Sequence, residues 1–231
     1  MIRVGIVNIS LELSKQNVDK LIMSMSPEKK KQIEKFHFEE DKKRCLFGEI
    51  LFRVMLWKQY DLHWKDIKIG RTNYGKPEIL NQESIYFNIS HSSDYVCCII
   101  SDDPVGIDIE KVSLEQDLSV FRNVFTQQEE EYIFKESDGE EKHQKFYRLW
   151  TLKESYIKKI GLGLSISLKS FNIVFNENRI TVEDEDKQKL PEIFYQFLID
   201  EQYYVSVCSE KKAVFSPIKY SGLQLLREYM F

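Results

Sequence analysis

The sequence has four cysteines, Cys45, Cys97, Cys98 and Cys208, but no C-x-x-C pair and no histidine cluster to accompany them. That argues against a structural zinc site. Adjacent Cys97 and Cys98 point to opposite faces of any strand that carries them, and reduced thiols in a cytosolic protein fit this usage best. No apolar run is long enough to span a membrane, and the opening MIRVGIVNISLEL is soon broken by polar residues. Neither a signal peptide nor a membrane partner is expected, which points to the cytoplasm. A strong excess of one charge is also missing. The net charge is -4 and both signs are interspersed, which argues against a general nucleic-acid binder while leaving room for a local basic patch that holds phosphate. What is present is ordinary globular material: 231 residues, 42% apolar and 30% charged, enough for one large domain or two smaller lobes.

Along the chain, residues 2–9 read as a first strand. Ser26-Pro27-Glu28 is a helix start, with serine as cap, proline in the first turn and glutamate at the positive end. A second helix is predicted from about Glu40 to Gln59, with Leu46, Ile50 and Val54 on one ridge and Phe47, Leu51 and Met55 on the next. Tyr74-Gly75-Lys76-Pro77 punctuates a loop. Strands follow at Ile85 to Ser90, Tyr95 to Ile100 and Val105 to Glu110. Thr126-Gln127-Gln128-Glu129 has the spacing of a capping box. A polar loop near Ser137 to Glu141 leads to a helix from about Gln144 to Lys159, ending before Gly161. Further strands are predicted around Ser167 to Phe175, Phe194 to Asp200 and Tyr203 to Ser209. Each half thus runs capped helix, longer helix, strands, a layout that suggests two similar lobes with a ligand cleft between them.

The segment Val105-Gly106-Ile107-Asp108-Ile109-Glu110 carries the most chemistry. In a strand, Asp108 and Glu110 share a face with Gly106, about 7 Å apart at the backbone, above a position where glycine leaves open space. Like charges that close repel unless a cation compensates. Oxygen donors without nearby Cys or His suit a hard ion, Mg2+ before Zn2+; the alternative is the solvent face of an edge strand. In Trp150-Thr151-Leu152-Lys153-Glu154-Ser155-Tyr156-Ile157-Lys158, the helical period puts Leu149, Leu152, Tyr156 and Ile160 on a buried stripe. Glu154 and Lys158 lie one turn apart on another face, either as a plain surface pair or, if the fold brings them opposite Asp108 and Glu110, as part of a site. Lys153 falls beside the stripe, where its ammonium is expected to reach into a cleft.

Phe87-Asn88-Ile89-Ser90-His91-Ser92 turns Phe87 and Ile89 inward and ends in small polar groups and a histidine, the kind of strand end that presents side chains to ligands. His91 can equally cap its loop, and nothing near it makes a Ser-His-Asp set. Upstream, Lys29, Lys30, Lys31, Lys42, Lys43 and Arg44 alternate with acids. They read as a solvated helix face, although Arg44 offers a fork suited to a terminal phosphate.

Taken in order, Ser26 to Lys29, Tyr74 to Pro77, Phe87 to Ser92, Val105 to Lys111 and Trp150 to Lys158 resemble the Sfp-type 4'-phosphopantetheinyl transferases, which activate peptide and polyketide synthetases. The resemblance covers nearly the whole chain; its most specific part is the ordered set FNISHS, VGIDIE and WTLKESYIK. It implies an α+β fold of two similar lobes packed as an intramolecular pseudo-dimer, here 1–104 and 105–231, with coenzyme A and Mg2+ in the cleft between them. It places the magnesium ligands on Asp108, Glu110 and Glu154. It places the coenzyme A contacts on Lys29, Arg44, Lys76, Ser90, His91, Lys153 and Lys158, with Arg44 and His91 toward the 3'-phosphate and Lys158 toward the pyrophosphate. Glu129 matches another acidic family position, for which helix capping is an equally good account. A lysine often found three residues after Lys29 is Gln32 here, so no phosphate contact is carried onto it; Lys30 or Lys31 is left to compensate.

The implied reaction is attack by a carrier-protein serine on the pantetheine-side phosphorus of coenzyme A, expelling adenosine 3',5'-bisphosphate. Lys158, with help from Lys153, would be an electrostatic clamp. Glu154 is the candidate general base, directly or through water; because a carboxylate facing Mg2+ is a poor base, a water on the ion is the alternative. The implied partners are coenzyme A and apo carrier proteins, and the repeated layout favours a monomer. Two other readings of the same residues are a noncatalytic carrier- or coenzyme-A-binding module and a magnesium-dependent enzyme that hydrolyses nucleotide pyrophosphates.

Overall fold

A computed structural model describes residues 1–11, 13–135, 139–176 and 179–230, with the side chains at 64 and 164 also outside the description. The first lobe runs β1 (Ile2–Asn8), α1 (Lys15–Met23), α2 (Pro27–Glu34), α3 (Glu39–Tyr60), the short hairpin β2 (Ile69–Arg71) and β3 (Pro77–Ile79), then β4 (Tyr86–Ser92) and β5 (Tyr95–Ser101). The second lobe repeats the plan with β6 (Val105–Lys111), α4 (Gln127–Phe134), α5 (Gly139–Ile160), the hairpin β7 (Phe171–Asn176) and β8 (Arg179–Asp184), then β9 (Ile193–Ile199) and β10 (Tyr203–Ser209). Both long helices have 22 residues. The sheets have matching orders, β1-β5-β4 and β6-β10-β9, with the first strand of each lobe paired antiparallel to the last. This is the two-lobed α+β pseudo-dimer.

The chain then returns to its beginning. Strand β11 (Ile218–Ser221) pairs in parallel with β1, and α6 (Gly222–Met230) follows it into the first lobe, where Leu225 and Leu226 join the core beneath α3. The last residues therefore belong with the first lobe, whereas a division at 104/105 assigns everything after it to the second.

Local chemistry accounts for the helix starts. Ser26 Oγ accepts from the Lys29 N–H at 3.3 Å, with Pro27 in the first turn. At Thr126 the capping box is complete: Thr126 Oγ1 accepts from Glu129 N–H, and Thr126 N–H donates to Glu129 Oε2 at 3.0 Å. The polar loop expected near Ser137 begins outside the described residues, and residues 139–141 already form the first turn of α5. The hairpin β2/β3 and strands β8 and β11 go beyond the sequence expectations, as do α1 and α6, while the strand expected around Ser167 to Phe175 begins at Phe171, after a short 3-10 turn at Leu168–Ser170.

Three apolar clusters form the interior. One lies between α3, α6 and the outer face of the first sheet, and one between α4, α5 and the β7–β8 hairpin. The third joins the lobes: Ile2, Val4, Ile6, Cys97 and Ile99 face Val105, Ile107, Ile109, Val205 and Val207. The alternation of β6 thus puts its apolar side chains between the sheets and turns Gly106 and Asp108 toward α5, the reverse side. Among the described residues no helix is long and apolar enough to cross a membrane.

Gly106 does not leave open space. A Cβ there would stand 2.0 Å from Ser155 O and 2.5 Å from Lys159 N, both backbone atoms of α5. The absent side chain lets the helix backbone lie directly on β6, which brings the residues on its neighbouring turns over Asp108. Gly106→Ala must push α5 off the sheet and should destabilise the fold by about 3 kcal/mol, measurable as a lower urea midpoint; an unchanged midpoint would refute the contact.

Candidate active site

Strands β4 and β6 are neighbouring edges of the two sheets, and side chains rather than a main-chain ladder connect them. Asn88 Oδ1 accepts from Ile107 N–H at 3.0 Å, Ser90 Oγ from Ile109 N–H at 3.4 Å, and Ser92 Oγ from Lys111 N–H at 3.1 Å. The period of two along both strands makes this repeat possible. Two of the three also turn toward the acids. Ser90 Oγ donates to Asp108 Oδ1 and Ser92 Oγ to Glu110 Oε2, each at 2.8 Å. The first lobe therefore aims both carboxylates of the second.

From the other side α5 contributes Lys158, whose Nζ donates to Asp108 Oδ1 at 2.6 Å and to Ser90 Oγ at 2.9 Å. Burial works against the ammonium charge, but Asp108, then Glu154 and Glu110, hold its pKa above the usual lysine value. Burial, then the charge of Asp108, pushes Glu110 up to about 7, and the same two causes raise Glu154. Asp108 is 2% exposed, and its Oδ2 is buried without a hydrogen-bond partner.

These groups suit a hard divalent cation. The donors are all carboxylate oxygens, burial and then the charge of Asp108 raise the pKa values of Glu110 and Glu154, and one buried oxygen lacks a partner. Among the described residues no group of three or more His, Cys, Asp or Glu is already drawn together as a metal site. In this arrangement Lys158 supplies the positive charge beside the acids.

The remaining expected residues are divided. Arg44 and His91 lie at the rim of the same cleft: the surrounding protein, then the charges of Arg44 and Lys158, lower the His91 pKa. Arg44 bonds Asp41 at 2.6 Å and Ser93 O at 3.3 Å. Lys29 pairs with Glu49 at 3.1 Å inside the first lobe. Lys76 crosses between lobes and donates to Lys159 O at the end of α5 at 2.9 Å; burial, then the charge of Lys159, lowers its pKa to about 8. The hydroxyl of Ser90 has its one donor and both lone pairs in use. Lys153 departs from expectation. Rather than reaching into the cleft it is fully buried, with its ammonium 2.6 and 2.8 Å from the two oxygens of Glu129. Asn88 and Ser92, which the sequence reading did not single out, share the Ser90 face of β4; the i, i+2, i+4 recurrence of small polar side chains was the available signal.

The model of the 4'-phosphopantetheinyl transferase superfamily matches residues 104–208, and that of the 4'-phosphopantetheinyl transferase N-terminal domain matches residues 12–102. The 4'-phosphopantetheinyl transferase Sfp of Bacillus subtilis (strain 168) is 34% identical over 201 residues, covering 85% of this chain and 87% of that protein. The chain belongs to the Sfp-type 4'-phosphopantetheinyl transferase family. Among other members, the gsp protein of Aneurinibacillus migulanus is 35% identical over 210 residues, covering 90% of this chain and 86% of its own. The human L-aminoadipate-semialdehyde dehydrogenase-phosphopantetheinyl transferase is 31% identical over 215 residues, covering 82% and 68%. As a 4'-phosphopantetheinyl transferase the chain falls among enzymes that generally depend on a divalent metal. The boundary between the two matched regions falls at the turn from β5 into β6, where the lobes meet.

Ser92→Ala would strip Glu110 of its donor and Lys111 N–H of its acceptor. It should lower stability by about 1–2 kcal/mol in urea denaturation, with Ser92→Thr close to the parent; equal stability of the alanine variant would argue against the seam.

Proposed function

We propose that the β4–β6–α5 cleft transfers the 4'-phosphopantetheine arm of coenzyme A to a serine of an apo acyl or peptidyl carrier protein, releasing adenosine 3',5'-bisphosphate. The observation that carries this reading is the buried, partnerless Asp108 Oδ2, beside Glu110, Glu154 and Lys158 in a chain of this family. The serine oxygen forms a bond to the pantetheine-side phosphorus, the bond from that phosphorus to the bridging oxygen breaks, and the bridging oxygen leaves on the adenosine bisphosphate.

Asp108, Glu110 and Glu154 are the residues that would hold Mg2+. When bound, the ion offsets the charge that develops on the diphosphate oxygens. Lys158 is the electrostatic clamp on the pyrophosphate, kept charged by the acids around it. Arg44 and His91 bind the 3'-phosphate at the rim, with Lys29 and Lys76 contributing after release from Glu49 and Lys159 O. Ser90 keeps Asp108 and Lys158 in register, and a direct contact with coenzyme A requires it to give up one of these bonds. Glu154 is the candidate acceptor of the serine proton, directly or through water; because a carboxylate that faces Mg2+ is a poor base, a water at the site is the alternative acceptor.

Carriers of nonribosomal peptide or polyketide synthesis are the partners we assign, and neither nucleic acid nor membrane takes part. The internal repeat, which provides both halves of the cleft in one chain, supports action as a monomer. Four free cysteines, three of them buried, support a reducing cytoplasmic setting.

Intact mass spectrometry of an apo carrier incubated with the protein, coenzyme A and Mg2+ tests the reading. The phosphopantetheine adduct is the expected result; an unmodified carrier with coenzyme A intact, or cleaved to free products, would overturn it in favour of binding or hydrolysis. Asp108→Asn should slow adduct formation roughly 100-fold while the thermal melt stays cooperative. Lys158→Ala should lose transfer to a similar degree at saturating coenzyme A, a loss larger than its melt accounts for. Parental rates from either folded variant at saturating Mg2+ would remove that residue from the mechanism.

A further inference from the structure

We propose that the buried Lys153–Glu129 ion pair is a positioning device: it sets the rotation of α5 about its axis so that Glu154 and Lys158 face Asp108, and Lys153 does not itself touch coenzyme A. All three ammonium donors of Lys153 are used, on Glu129 Oε1 at 2.6 Å, Glu129 Oε2 at 2.8 Å and Phe171 O at 2.9 Å. Glu129 in turn accepts from Thr126 N–H at 3.0 Å and from Ile173 N–H at 2.9 Å. One charge pair therefore ties the start of α4 and strand β7 to the middle of α5.

Desolvating two charges offsets much of their attraction, so such a pair is weak evidence for stability, and fixing one arrangement among several is its best-attested use. Here the residue after the buried lysine is Glu154, and Lys158 is one turn further on. On the opposite side Gly106 admits the helix backbone to β6 at Ser155 and Lys159 and so sets its depth. Thr151 Oγ1 and Ser206 Oγ, 2.8 Å apart, add a lighter constraint. A displacement of reacting groups by about 1 Å can cost roughly 100-fold in rate, so a helix carrying two site residues needs an anchor of this kind.

The proposal rests on reading Glu154 as a divalent-cation ligand. Lys153→Met alone strands a buried carboxylate, so the deciding variant is the uncharged double Lys153→Met/Glu129→Gln in the full chain. Coenzyme A affinity by calorimetry should stay within about twofold of the parent. Mn2+ affinity by electron paramagnetic resonance should weaken roughly tenfold, and kcat should fall about tenfold or more with the KM for coenzyme A unchanged. If the double variant does not fold, Glu129→Asp, which keeps both charges but retracts the carboxylate by one methylene, should give the same pattern in weaker form. A loss of about tenfold in coenzyme A affinity would make Lys153 a direct contact and overturn the proposal; unchanged Mn2+ affinity together with unchanged kcat would reduce the pair to packing and also overturn it. Glu154→Gln is the control: if it leaves Mn2+ binding intact, the ligand assignment fails by itself, and the kcat of the double variant then decides the positioning role.

Discussion

The architecture of the candidate site depends on three side chains standing in for a β-ladder. Where two strands pair through their main chains they lie about 4.8 Å apart, and no ligand fits between them. Here Asn88, Ser90 and Ser92 take the Ile107, Ile109 and Lys111 amide protons, so the edge of β6 is satisfied while the strands are held apart by a layer of side chains. That same layer carries the hydroxyls that orient Asp108 and Glu110. Lobe docking and carboxylate alignment are consequently one event: the amide edge of β6 cannot be satisfied by β4 without the acids being aimed as well.

The third wall comes from α5, held by contacts of different kinds. The missing Cβ at Gly106 controls its distance from the sheet, Glu129 grips Lys153 from behind, and Lys159 is pinned by Glu192 and Glu210 at 2.9 and 2.6 Å. Alternate lysines on one helix therefore have opposite assignments. Lys153 and Lys159 are buried as structural cations, and Lys158 reaches the acids of the cleft. Charge type alone would have grouped the three.

Much of this was legible in the sequence. The two caps, the long helices, the alternation of β6 and the order of the motifs follow from local rules that tertiary packing did not override. What was hidden lay in relations between elements. Alternation tells which residues share a face with Gly106, but not that a helix backbone fills that face. A helical stripe predicts one buried side, yet Thr151, Lys153, Ser155 and Lys159 are buried along with Leu149, Leu152 and Tyr156, because α5 is covered on most of its circumference and the stripe no longer says where Lys153 points. Strand β11 is four residues long and largely exposed, so periodicity gives it no signature, and its partner β1 lies at the far end of the chain.

That returning strand has a consequence for the whole molecule. The twofold likeness of the lobes relates β1 to β6 and β4 to β9, so a seam between β4 and β6 has a formal counterpart between β9 and β1. The free edge of β1 is already taken by β11. A duplicated plan that could offer two equivalent grooves is thus left lopsided, because strand β11 closes the edge of one of them.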